Sequence, residues 1–210
     1  MIWKNRNILI WSLAYFIFIY TAYEVSMVIL GFGFYEFVQE NLFTVQKYFF
    51  DVSIFFVAYL FIMKKPFHWN LCVIRNGNLY VYHGVLYGLK ICLFYIAYTM
   101  ILFFGIPLLG GAQIQLNSSI FFNFWNLFSF LFATYLCYLL VLLLSGNQVF
   151  GILASFAVNS AILMAYSIIG MFNESFALLM EFFLMTFYTS IAIFLLGTTY
   201  VTFRKRDFLL

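Results

Sequence analysis

The side chains able to do chemistry are few in this chain, and their spacing narrows what they can do. His68 and His83 are the only histidines. Neither has a second His or a carboxylate at metal-ligand separation, so both read as polar residues of a loop at a membrane surface. No Gly-rich phosphate loop ending in Gly-Lys-Ser/Thr is present, so ATP is not bound here in the P-loop manner. Cys72, Cys92 and Cys137 are odd in number and far apart, which argues against a disulfide framework or a zinc site. No carboxylate pair and no nucleophile beside a base is visible. The expectation is a chain without catalytic, metal or cofactor-binding residues of its own.

Glu24 is the one carboxylate well inside an apolar run. Charge there is costly and normally faces a cavity or a partner. At helical spacing Tyr20, Tyr23, Glu24 and Met27 share a face, which would line a transport pathway or meet a second subunit. The alternative is a hydrated Glu24 near the outer surface, since Gly31-Phe32-Gly33 follows shortly. Asn159 lies in the middle of another apolar run, with Ser155 one turn before and Ser160 beside it. Such amides and hydroxyls commonly bond across helices, and a substrate contact on the pathway is the alternative. Gly84 and Gly88 form a Gly-x-x-x-Gly motif that allows close backbone approach near the inner end of a span.

The elements that position these residues follow from composition. Hydrophobic residues make up 66% of the chain and charged residues 8%, against about 25% charge in soluble domains. A membrane-spanning helix needs ~20 mainly apolar residues. Runs of that kind fall at about 8–30, 48–63, 86–108, 119–144, 150–171 and 179–203. They are continuous and lack the dyad alternation of a membrane barrel. The fold class expected is an all-α integral membrane protein of six transmembrane helices, a single domain over 1–210. The first run is too long for a signal-peptide core of about 7–15 residues and reads as an uncleaved span. Pro107, with Gly105, Gly110 and Gly111, is expected to end the third span.

Charge gives the orientation. Of the 10 basic residues, Lys4, Arg6, Lys64, Lys65, Arg75, Lys90, Arg204, Lys205 and Arg206 fall on one side of a six-span topology, and Lys47 falls on the other. Positive residues mark the cytoplasm, so both termini are expected there, in a multi-pass protein of the cell membrane. These positives are distributed by topology and form no single patch, which gives no reason to expect nucleic acid as a partner. The outer loops are expected at Gly31–Gln46, Leu109–Ser118 and Phe172–Leu178. Inside, a very short neutral loop is expected at Ser145–Val149.

The longest polar insertion is the cytoplasmic loop over about 64–85. Pro66 suits the first turn of a helix. Phe67, Leu71 and Ile74 then fall on one stripe, and Trp69 and Tyr80 are interface-type residues. This predicts a short amphipathic helix on the inner surface, closed by Asn76-Gly77.

At this loop the chain resembles the small permease subunits of ATP-binding-cassette exporters of the second type, notably the short ones of Gram-positive bacteria. In that family a cytoplasmic coupling segment between the second and third spans contains an Arg-x-Gly-like turn. Its counterpart here is Ile74-Arg75-Asn76-Gly77. Tyr200 to Asp207, a last span running into a basic cluster, is similar to the family's ending, and Ser145-Gly146-Asn147 takes the place of its second cytoplasmic contact. The resemblance implies a permease that works as a homo- or heterodimer, with ATP and Mg bound by a separate ATPase. Phe67, Trp69, Leu71, Ile74, Arg75, Asn76 and Gly77 would dock on that partner. A path lined by Tyr and Phe suits an amphipathic peptide or lipid-like substrate better than an ion or a sugar; bacteriocins and phenol-soluble modulins are examples. Two other classes stay open. One is a non-transporting immunity or peptide-sensing membrane protein. The other is an ion-coupled secondary transporter using Glu24.

Overall fold

The computed structural model describes residues 77–109, 118–172 and 174–203, and these form four helices. They are α1 (Gly77–Leu109), α2 (Ser118–Ser145), α3 (Gln148–Phe172) and α4 (Glu174–Phe203). The expected spans at 8–30 and 48–63, the segment 64–76 and the C-terminal basic cluster lie outside the described residues. Among the described residues two helices are long and apolar enough to cross a membrane: α1 over Val81–Tyr98 and α2 over Phe124–Ser145. Shorter apolar stretches occupy α3 at Gln148–Ala161 and α4 at Phe187–Thr202.

Two expected boundaries are corrected. Residues 77–85, expected in the cytoplasmic loop, are helical, and Gly77 is the first residue of α1. Hydropathy misplaces this start because Asn78, Tyr80, Tyr82 and His83 are polar or interfacial, yet all are compatible with a helix. The buried positions Val81, Gly84, Gly88, Ile91 and Tyr95 recur at intervals of three and four and mark one helical stripe. At its other end α1 stops at Leu109, two residues after Pro107 and within one residue of the expected end of the third span. The expected outer loop at Phe172–Leu178 is also largely helical, because α3 ends at Phe172 and α4 begins at Glu174. The connection between α2 and α3, expected as a short loop at Ser145–Val149, is shorter still, with only Gly146 and Asn147 outside helix.

By contact the described residues divide into two units, 94–109 with 118–124, and 77–93 with 125–172 and 174–203. In the first, Tyr95, Ile96 and Phe124 are buried, and the Phe104 and Phe124 rings meet at 5.9 Å.

In the second unit α2 is the centre. Every residue from Ser129 to Leu139 is buried, which happens only to a helix with neighbours on all sides. Three helices supply contacts. Gly84 and Gly88 of α1 meet Tyr135. Gly151 of α3 meets the Tyr138 ring. Tyr188 of α4 stands edge-on to Phe130, with ring centroids 5.0 Å apart, and the Ser129 and Thr189 hydroxyls are 3.2 Å apart.

The α2–α3 connection is made by local chemistry. Gly146 adopts a left-handed φ of 66°, and its N–H donates to the Leu142 carbonyl at 2.8 Å. This is the usual way for a glycine to end a helix. Asn147 then caps α3, its Oδ1 accepting the Val149 N–H at 3.0 Å. The Ser145 hydroxyl donates to the Val141 carbonyl at 2.7 Å and accepts the Asn147 N–H at 3.2 Å. A two-residue turn of this kind forces α2 and α3 to pack as antiparallel neighbours.

Candidate functional site

Of the expected coupling residues, only Gly77 is described, and it opens α1. Phe67, Trp69, Leu71, Ile74, Arg75 and Asn76 lie outside the described residues. So do Tyr20, Tyr23, Glu24 and Met27 of the expected pathway. Asn159 is described. Its side chain is 3% exposed and donates from Nδ2 to the Thr134 hydroxyl on α2 at 2.8 Å. Thr134 in turn donates to the Phe130 carbonyl at 2.8 Å. The Ser155 hydroxyl, expected to stand with Asn159, donates instead to the Ile152 carbonyl of its own helix at 2.8 Å. Ser160 likewise donates to Phe156 at 2.8 Å. The amide therefore ties α3 to α2, and both serines satisfy local carbonyls.

The Gly84–Gly88 motif has a specific occupant. A Cβ at Gly88 would fall inside the Tyr135 ring. Tyr135 is fully buried, and its hydroxyl donates to the Gly84 carbonyl at 2.9 Å. The two glycines thus form a notch in α1 that takes an aromatic ring of α2 against the backbone. One turn further along α2 the same device recurs, since a Cβ at Gly151 would stand 2.9 Å from both the Tyr138 ring and the Tyr138 carbonyl. The Tyr135 and Tyr138 rings lie 5.9 Å apart, tilted by 51°. Two tyrosines one turn apart therefore lock α2 into glycine notches on α1 and α3. The sequence exposes the notches but not their occupants, because 16 Tyr and 31 Phe offer many rings.

Lys90, counted above with the positives of the cytoplasmic side, falls within the apolar stretch Val81–Tyr98 of α1. It stands 13 residues after Gly77, about 20 Å along α1 at ~1.5 Å per residue. The register with α2 gives its depth. Gly88 lies against Tyr135, and α1 and α2 run antiparallel, so Lys90 is level with about Ala133. Ala133 is about 18 Å from Ser145 and about 14 Å from Phe124 at ~1.5 Å per residue, near the middle of the apolar span of α2. From Gly77 to Phe172 the chain contains no Asp, Glu, Arg or other Lys. The Lys90 side chain is exposed, as are Leu93 after it and Tyr82 and His83 before it. In a bilayer an ammonium at this depth costs about 2.5–3.5 kcal/mol on insertion scales, offset in part where the side chain bends toward the interface. A residue of that cost calls for a purpose.

Large apolar side chains stand out on the outer faces. Phe94 and Ile101 of α1, Phe150 and Met164 of α3, and Ile193, Phe194 and Val201 of α4 are each more than half exposed. Cys92 and Cys137 are free thiols buried in α1 and α2. Among the described residues no three His, Cys, Asp or Glu side chains gather as metal ligands.

The chain matches no family model, and no curated protein or solved structure proved similar to it.

Proposed function

We propose that this chain is the permease subunit of an ATP-binding-cassette exporter, moving an amphipathic peptide or lipid-like substrate out of the cell. It crosses the cell membrane six times with both termini in the cytoplasm, and it pairs with a second permease subunit. ATP and Mg belong to a separate cytoplasmic ATPase. Support for the membrane comes from the exposed apolar side chains of α1, α3 and α4, which water would penalise and lipid would not.

The observation that carries the transport reading is the continuity of α1. The expected coupling segment is followed in the chain by a helix that begins at Gly77 and continues through the apolar stretch Val81–Tyr98. A pull on that segment is delivered to a rod and not dissipated in a flexible loop. The rod is keyed to α2 through Tyr135 in the Gly84–Gly88 notch, so tilting α1 must carry α2 with it or open the notch. In this mechanism Phe67, Trp69, Leu71, Ile74 and Arg75 sit in a groove of the ATPase. Closure of the ATPase pair on nucleotide displaces them, and the spans exchange inward for outward exposure of a path on which Tyr20, Tyr23, Glu24 and Met27 lie. Asn159 and Thr134 hold α3 to α2 during that motion. Coupling requires that the groove grip the segment differently in the two nucleotide states.

The test is co-expression with a Walker-motif ATPase encoded beside this chain. Trp69→Ala combined with Arg75→Glu is expected to abolish both co-purification of the ATPase and export. Retention of both would refute the coupling assignment. Protection against a peptide without any ATP requirement would favour an immunity or sensing protein. Loss of ion-driven flux in Glu24→Gln would favour a secondary transporter.

A further inference from the structure

The permease reading leaves Lys90 without a task, and the register of α1 on α2 gives it one. We propose that Lys90 binds the head of an anionic amphiphile, a single carboxylate or phosphate group carried on an apolar chain, on the outer face of α1 within the bilayer. Three observations converge. Lys90 is the only formally charged residue from Gly77 to Phe172, so that stretch of chain offers it no carboxylate. Its side chain is exposed and not turned into the helix packing, while Gly88 and Ile91 on the opposite stripe are buried. Leu86 and Leu93, one turn to either side, are half-buried and exposed respectively, which leaves an apolar surface along which a chain can lie.

The physics favours an anion over a neutral head. In a medium of low dielectric an unpaired ammonium is strained, and pairing with one negative charge relieves most of that cost. A dipolar or neutral head gives back only hydrogen bonds. The tail supplies area burial that every amphiphile shares, so selectivity rests on the ammonium alone. An amphiphile moving between leaflets must take its head through this depth, where Lys90 is the one cation α1 presents. The proposal names a substrate class for the permease reading and rests on it. Binding itself needs no ATPase, so the two can fail separately.

The experiment uses the full chain in nanodiscs of zwitterionic phosphatidylcholine, with radiolabelled oleate as the probe. Saturable binding to wild type is expected, with at least a tenfold weaker affinity in Lys90→Gln and affinity within about threefold of wild type in Lys90→Arg, which keeps the charge. Neutral monoolein, with the same tail, is expected not to compete. Competition by phosphatidylglycerol would extend the head class to phosphates, and its absence would restrict the site to carboxylates; either result supports the site. A second variant guards against misfolding of the first. Leu93→Glu places an acid three residues from Lys90, within pairing distance on a helix, and is expected to abolish oleate binding by satisfying the ammonium internally. Wild-type affinity in Lys90→Gln, or equal competition by monoolein, would overturn the proposal. So would loss of the dimer in Lys90→Gln with oleate binding unchanged, which would assign Lys90 to a subunit contact.

Discussion

Replacing Gly88 with Ala tests the keying of α1 to α2. The new methyl would occupy space now filled by the Tyr135 ring. That ring has little freedom to yield, because Tyr135 is fully buried, its hydroxyl is bonded to Gly84, and Tyr138 lies beside it. Overpacking of a filled interior costs about 1–3 kcal/mol. Losing the Tyr135–Gly84 bond adds about 0.6 kcal/mol, the average for such bonds in membrane proteins. Alanine returns about 0.5–1 kcal/mol through helix propensity. The net is a destabilisation on the order of 1–3 kcal/mol, or roughly 5- to 150-fold in the equilibrium between packed and open states. Cys92 is a built-in reporter, since it is fully buried and stands one turn from Gly88 on the same stripe. In a background with Cys72 and Cys137 changed to Ser, the rate of Cys92 modification by a membrane-permeant thiol reagent is expected to rise by that factor. Tyr135→Ala removes the obstruction, so in the double variant the Gly88 methyl enters the space the ring vacated. The two changes are then expected to be non-additive by at least about 1 kcal/mol. Unchanged Cys92 reactivity in Gly88→Ala, or additivity within about 0.5 kcal/mol, would refute the notch.

Other consequences are open to the same assays. Asn159→Leu and Thr134→Val are each expected to cost about 0.6–1.7 kcal/mol, with the double variant no worse than the more severe single one, as a thermal-unfolding double-mutant cycle would show. Gly146→Ala places a side chain at a left-handed φ of 66° and is expected to lower stability by about 1–2 kcal/mol. Asn147→Ala is expected to cost about 0.5–2 kcal/mol through the lost cap of α3, measured in the same way. Tyr188 is buried, and its hydroxyl has no hydrogen-bond partner among the described residues. Tyr188→Phe removes an unsatisfied group while keeping the ring against Phe130, so it is expected to be neutral or to raise the unfolding temperature.

Where the chain is described, the helices were largely legible from apolar runs. The expectation of 119–144 against Ser118–Ser145, and of 150–171 against Gln148–Phe172, shows how directly a long uncharged run reports a helix. The errors have one cause. Hydropathy finds where a helix is greasy, not where its backbone hydrogen bonds start and stop. Residues 77–85 and 174–178 are helical without being strongly apolar, so both were read as loop. The candidate site was legible only in its small and polar members. Asn159 and the Gly84–Gly88 pair stand out against their surroundings, whereas Tyr135 and Tyr138 are two rings among many.

The amino-acid sequence alone determined that this region is helical and apolar, and where its helices are punctuated. Those outcomes depend on local chemistry: side-chain hydrophobicity, the left-handed tolerance of Gly146 and the capping capacity of Asn147. Only the tertiary structure decided which of four similar helices is central. Burial of α2 from Ser129 to Leu139 needs neighbours on every side, which no run of residues supplies by itself. The level of Lys90 against α2 was decided in the same way, by a ring of α2 seated in a notch of α1, a contact between residues 88 and 135 that no local pattern encodes.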